Sequence, residues 1–224
     1  MKKLKIVVLV LVVFFLVGCG ITSMNGNENS NNGGNGNSGN TISGEVTKEN
    51  YMNFPTTPES EFSVDYVDGG VLIHGCRSKD KVIKVPETIN GQTVIGVGGY
   101  AFGNMEGLEA VVLPDTVETI GESAFSVNHD LKYVYLGKSL KSVEKLAFNQ
   151  EYSLVEINLP EGTQSINSLV AFSNKLERIY IPASVTEIKD YIAFRCNNVT
   201  IYTPAGSYAD KVAREAGLNV VNEW

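Results

Sequence analysis

Few residues in this chain combine reactive chemistry with a setting that would use it. The 224 residues hold three cysteines and two histidines. Cys19 stands apart from the others. It ends an unbroken apolar run, Ile6 to Val17, and follows the small residue Gly18. A thiol is the most nucleophilic neutral side chain, so this position invites covalent modification. His74 and His129 have no nucleophile or carboxylate pattern beside them and read as surface side chains. The stretch Gly96-Val97-Gly98-Gly99 lacks the Gly-Lys-Ser/Thr ending of a phosphate loop, and turn glycines explain it. Asp65 and Asp68 do not have calcium-loop spacing. Two His and three Cys are too few for a zinc cluster. No catalytic set, cofactor site or metal site is expected, and the chain is not read as an enzyme.

The elements around Cys19 give it an address. Lys2, Lys3 and Lys5 form a basic start. The apolar run of twelve residues is too short to cross a bilayer, which takes ~20 residues, but suits the apolar region of a signal peptide. The ending Leu16-Val17-Gly18-Cys19 resembles the lipobox of bacterial lipoproteins. That resemblance implies that residues 1–18 are removed and that Cys19 becomes a lipidated first residue. An ordinary signal peptide with an incidental Cys19 is the alternative. Two acyl chains anchor stably where one is marginal. Removal takes away three lysines and no acid, moving the formal charge from −7 to −10. Anionic lipid heads repel such a chain, so the lipid and not a basic patch must hold it to the membrane. The acidity also argues against a nucleic-acid partner.

Residues 20–44 contain eight Asn, seven Gly and four Ser. They cannot bury much apolar surface and are expected to stay disordered. With the polar stretch 45–60, which carries Pro55 and Pro58, they form a tether over 19–60. About 40 flexible residues reach ~35 Å. The alternative is a low-complexity insertion without a role. From residue 61 the pattern alternates: Phe62, Val64 and Tyr66, then Asp68-Gly69, then Val71 and Ile73. This predicts a β-hairpin opening the folded part, within 61–84.

Residues 85–204 repeat with a period near 23. Ala-Phe recurs at 101–102, 124–125, 147–148, 171–172 and 193–194. Leu108, Leu131, Leu154 and Leu176 keep step with it. So do Val111, Val134, Ile157, Ile179 and Ile201, followed two residues later by Leu113, Leu136, Leu159, Ile181 and Thr203. Pro114, Gly137, Pro160, Pro182 and Pro204 come next, and Ile120, Val143, Ile166 and Ile188 form a further column. A β-branched residue and a following aliphatic share one strand face, and proline, lacking an N–H, closes the strand. No unit has enough apolar surface to fold alone, so the coils must stack into a β-rich solenoid of short parallel strands. The phenylalanines are expected to form a buried spine. Over 205–224, Ser207 and Asp210 predict a helix start, Ala209, Val212, Ala213 and Ala216 an apolar face, and Gly217 a stop: a helical cap on the stack.

The repeats "LPDTVETIGESAFSVNHDLKYVY" (113–135) and "IPASVTEIKDYIAFRCNNVTIY" (181–202) resemble the BspA-type bacterial leucine-rich repeats. The resemblance covers residues ~66–224. It implies a solenoid and an adhesion role. Three departures stand out: Gly137 replaces Pro, the Cys column survives only at Cys196, and Asn198 takes a Leu position. Together they suggest one slackened coil edge within the same fold. Cys76 and Cys196 lie about five coils apart, roughly 24 Å at ~4.8 Å per strand, too far for a disulfide. Free thiols are expected, with Cys196 facing inward; a bridge through a folded-back hairpin is the alternative.

Alternation places two rows on the outer strand face. One runs Ala110, Tyr133, Glu156, Arg178, Thr200, and the other Val112, Tyr135, Asn158, Tyr180, Tyr202. Aromatic and charged residues on one face have the composition of a recognition surface. Tyr133, Tyr135, Arg178, Tyr180 and Tyr202 are therefore the candidate ligand-binding residues. A stacked ladder with no ligand explains the same rows. The expected protein is exported, lipid-anchored on the extracytoplasmic side, and monomeric. Its expected partner is a host or microbial extracellular protein; an envelope spacer without a ligand is the alternative.

Overall fold

The computed structural model of the chain describes residues 44–223. The expected signal segment, Cys19 and the tether up to residue 43 lie outside the described residues. Strands β1 (Phe62–Val67) and β2 (Gly70–Cys76) form the hairpin that the alternation predicts. Its turn is Asp68-Gly69, where Gly69 takes a φ of +90° that L side chains rarely adopt.

Three strands follow: β3 (Val82–Lys84), β4 (Thr88–Ile89) and β5 (Gln92–Val97). The next two coils give β6 (Ala110–Val112), β7 (Thr119–Ile120), β8 (Tyr133–Tyr135), β9 (Ser142–Val143) and β10 (Phe148–Asn149). Beyond them come β11 (Glu156–Asn158), β12 (Ser165–Asn167), β13 (Val170–Ala171), β14 (Arg178–Tyr180), β15 (Glu187–Lys189), β16 (Ala193–Phe194) and β17 (Thr200–Tyr202). Helix α1 (Tyr208–Glu215) and β18 (Asn219–Val221) close the stack. One face of the solenoid is the ladder β1-β2-β5-β7-β9-β12-β15, with β4 beside β5. A second carries β3-β6-β8 and β11-β14-β17-β18. The third is a short ladder, β10-β13-β16.

The predicted aliphatic columns are the core. Leu108, Leu131, Leu154 and Leu176 are buried, and so are Leu113, Leu136, Leu159, Ile181 and Thr203. Val199, not Asn198, continues the leucine column; Asn198 is exposed at a φ of +61°. Gly137 does not slacken its turn. It takes a φ of +73°, and a Cβ there would lie 2.4 Å from the Pro114 carbonyl oxygen. Proline fixes φ near −65° and could not adopt this turn.

The phenylalanine spine holds three of the five expected rings. Phe102, Phe125 and Phe148 are fully buried and stack nearly parallel, with centroids 5.5 and 5.1 Å apart. The next coil steps by 22 residues: Phe148 pairs with Val170, and Val170 with Ala193. Leu169-Val170 and then Ile192-Ala193 fill the place of Ala-Phe, while Phe172 is half-exposed and Phe194 is 43% exposed. A core conserves total volume more strictly than residue identity, so a medium pair replaces a small-large pair.

The column around Cys196 is polar. Asn128 donates to the carbonyls of Phe102 (2.8 Å) and Phe125 (2.5 Å) and accepts from the Met105 N–H (2.8 Å). The Asn128 N–H reaches Glu151 Oε1 at 3.4 Å, and the Glu151 N–H donates to Ser173 Oγ at 3.0 Å. Each side chain thus satisfies a backbone donor of the preceding coil. Glu151 is fully buried, and its second oxygen has no hydrogen-bond partner. Burial pushes its carboxyl up to about 9, so the fold holds it as the neutral acid at pH 7. Cys196 is half-buried against the core, and it and Cys76 are free thiols.

At the C-terminus Ser207 Oγ accepts from the Asp210 N–H at 3.1 Å. Ala209 and Ala213 are buried, and Val212 packs against the core. Ala216 is exposed instead, because the helix ends there and Gly217 turns the chain at a φ of +73°. Helix α1 is not the last element, as β18 then adds a parallel strand beside β17.

Residues 45–60 differ from the expected tether. Val46 is 2% exposed and packs with Val82 and Ala110. Tyr51–Asn53 and Glu59–Glu61 form single 3-10 turns. Thr57 caps the free edge of β3: its N–H donates to the Lys84 carbonyl (2.9 Å) and its hydroxyl accepts from the Lys84 N–H (3.1 Å). Scattered apolar side chains suffice to hold the segment, with Tyr51 and Phe54 packed beside the buried Val46.

Candidate binding face

Strand register brings the two predicted rows onto one face. Ala110 pairs with Tyr133, and Val112 with Tyr135. Glu156, Arg178 and Thr200 align, as do Asn158, Tyr180 and Tyr202. No ladder joins β8 to β11, however, so the five candidates fall into two groups. Tyr133 and Tyr135 lie on β8, while Arg178, Tyr180 and Tyr202 lie on β14 and β17.

The first group is covered or engaged. Segment 45–57 runs over it, and the Tyr51 ring stacks on Tyr133 with centroids 5.3 Å apart and planes at 14°. Ala110 and Val112, expected to face outward, are buried. The Tyr135 hydroxyl donates to Asp115 at 2.7 Å, and Lys138 pairs with the same carboxylate at 2.5 Å. These two contacts hold the Asp115 carboxyl below the usual range.

The second group is half-exposed, as Tyr133 and Tyr135 are. Tyr180 and Tyr202 stack at 4.7 Å and 24°, both half-exposed. Arg178 pairs with Glu156 at 3.4 Å and with Glu177 at 2.8 Å. Glu156 also receives Lys48 of the covering segment at 2.5 Å. Burial works to raise the Glu156 carboxyl, but Lys48, with Asn158 and Arg178, outweighs it and holds the group below its ordinary value. A small cleft at the junction is lined by Lys48, Tyr51, Lys132, Tyr133, Glu156 and Asn158.

Lys48 and Tyr51 were not legible as site residues. Their signal is compositional: Val46, Tyr51, Met52 and Phe54 appear as soon as the Asn/Gly tract ends. A second missed group lies on the third face. Phe172 and Phe194 meet edge-on at 5.9 Å, Tyr191 lies 5.3 Å from Phe194, and the Arg195 guanidinium sits 5.6 and 5.4 Å over the two phenylalanine rings. His129 stacks on Tyr152 at 4.7 Å, and His74 lies 3.3 Å from Asp65. Among the described residues no group of three or more His, Cys, Asp or Glu is placed to hold a metal ion.

Comparison with known proteins agrees with this architecture. Residues 81–200 match the BspA type leucine rich repeat region in six copies. A leucine-rich repeat protein of Treponema pallidum is 25% identical, with a TM-score of 0.60, covering 66% of this chain and 71% of that one. A leucine-rich cell surface protein of Faecalibacterium prausnitzii is 26% identical (TM-score 0.54), covering 65% of this chain and 38% of the other. A leucine-rich repeat protein of Bacteroides ovatus shares the fold at 23% identity and a TM-score of 0.52, covering 63% of this chain and 45% of that one. The search of curated proteins found no match.

Proposed function

We propose that this chain, which belongs to the BspA-type leucine-rich repeat family, is a surface-tethered binding module and not an enzyme. Cys19 carries the lipid that holds it on the extracytoplasmic side of a bacterial membrane, and the Asn/Gly-rich stretch spaces the solenoid from the bilayer. The half of the sheet formed by β14 and β17 binds a host or microbial extracellular protein, through Arg178, Tyr180 and Tyr202. The observation that carries this reading is the in-register pair Tyr180–Tyr202, half-exposed beside Arg178 on a rigid ladder. Tyrosine buries area at low entropy cost, and a guanidinium adds directed donors. The F. prausnitzii relative, described as a cell surface protein, supports the location. A spacer without a ligand is the second reading; it is favoured by Arg178 already having two carboxylates.

Two experiments test the proposal. Wild type partitions into detergent and takes up labelled palmitate, and Cys19→Ala loses both; retention of both in the variant rejects the anchor. For binding, the full chain is used to capture extracellular proteins. Arg178→Ala with Tyr180→Ala weakens the captured partner at least tenfold while the melting temperature holds. Equal capture by the folded double variant rejects this face.

A further inference from the structure

We propose that the covered half of the sheet is a receptor groove for a peptide bearing an apolar residue, a cation two positions on and an aromatic ring three beyond that. Segment 45–54 is its resident occupant, which a partner protein's segment of the same chemistry displaces. The inference deepens the reading of the sheet as a binding surface, but concerns its other half.

The seated segment shows what the groove accepts. Val46 fills the hollow over Val82 and Ala110 and is almost fully buried. Lys48 meets Glu156, whose carboxylate is only 17% exposed. Tyr51 lies flat on Tyr133. These three anchors touch three different rungs of the face, β3 with β6, β8, and β11. The pattern Val-x-Lys-x-x-Tyr is therefore read by an apolar hollow, a fixed anion and a ring platform, and the last two meet where the ladder between β8 and β11 is interrupted. Placing an anion and a ring there is unnecessary for stacking coils; the other rungs do so with paired strands.

The occupant is held in a way that permits exchange. Its local structure is its own: the Thr47 N–H donates to Asn50 Oδ1 (2.9 Å), and the Asn50 side chain donates to the Glu45 carbonyl (2.9 Å). It adds no strand to the sheet. Its ion pair is solvent-facing, with the Lys48 side chain 61% exposed, and such pairs contribute little. Beyond Val46, the only buried residue between 45 and 60 is Thr57, at the far end on the edge of β3. Lys84 Nζ donates to the Met52 carbonyl (3.0 Å) and Phe54 packs against the Val46 cluster. Covalent attachment supplies the rest, since a short tether gives an effective concentration on the order of millimolar. A partner segment with a better apolar or aromatic anchor, presented at a comparable local concentration, replaces it and leaves the solenoid unchanged.

The test uses the full chain and a fluorescent synthetic peptide of residues 44–58. Val46→Asp with Lys48→Glu loosens the resident segment and replaces no coil residue; a retained cooperative melt checks that the solenoid stays folded. The loosened variant is expected to bind the peptide at least tenfold more tightly than wild type, in which the groove is occupied. A peptide carrying Val46→Asp with Lys48→Glu is expected to lose that gain. Equal binding by wild type and variant, or no binding by the loosened variant at millimolar peptide, overturns the proposal. So does self-association of wild type through exchanged segments, which makes a second copy the occupant. Failure of the Arg178/Tyr180 capture experiment leaves this result untouched, since those residues lie on β14.

Discussion

The first three coils and those after them solve the same packing problem with aromatics on opposite sides of the backbone. Up to β10 a ring stack fills the core, Phe102, Phe125 and Phe148, and the outer sheet, with Tyr133 on it, is overlain by segment 45–57. From β11 the core is aliphatic and the rings are outside, with Tyr180 on Tyr202 on one face and Phe172 near Phe194 on another. The interruption between β8 and β11 falls at this change, and so does the polar link through Glu151. A solenoid's stability is close to a sum over coils and their interfaces, so one stretch can carry stability while its neighbour carries display. The difference teaches that a repeat keeps core volume and strand register, while ring position is free to serve another purpose.

The largest effect should separate the two stretches directly. Phe148→Ala is expected to cost ~3–5 kcal/mol in denaturant unfolding, the usual large-to-small penalty. Phe194→Ala, on the surface, should cost about 1 kcal/mol or less. Similar losses at both positions would break the comparison.

The junction itself is tested by pH. The fold holds the Glu151 proton up to about pH 9, whereas the unfolded chain releases it near its ordinary 4.5. The unfolded state binds fewer protons across that window, so stability falls as pH rises through it, by ~1.4 kcal/mol per unit. Glu151→Gln keeps the shape without the ionisation. It should flatten this slope and add roughly 3 kcal/mol at pH 7. A slope equal to wild type would show that the carboxyl is not held neutral. A smaller effect is expected at the closing helix, where Ser207→Ala should cost ~1 kcal/mol through the lost cap to the Asp210 N–H. That loss should leave the Phe-stacked coils unaffected in urea unfolding followed coil by coil.

Much of this arrangement was legible in the sequence. The Asp68-Gly69 hairpin, the leucine and β-branched columns, the alternation of rows and the Ser207 cap rest on local rules that the chain obeys throughout. The Ala-Phe column misled because its spacing, 23, 23, 24 and 22, looks regular while the coil between β10 and β13 steps by 22. Two shifted dipeptides preserve the motif but leave the core, and only the volume of Leu169-Val170 and Ile192-Ala193 reveals it. Of the five candidate residues, Arg178, Tyr180 and Tyr202 come together as the register requires. Tyr133 and Tyr135 do not join them, because what separates them is a missing ladder, which has no residue signature. The covering segment was hidden by composition: Val46, Lys48 and Tyr51 sit in a polar stretch whose partners lie up to 108 residues away.

Hydrogen exchange along the full chain tests the division most directly. The account predicts slowest exchange in β7 and β9, beside the phenylalanine stack, faster exchange from β11 to β14, and intermediate protection of residues 46–57. Uniform protection across all coils, or slowest exchange beyond β11, would contradict it.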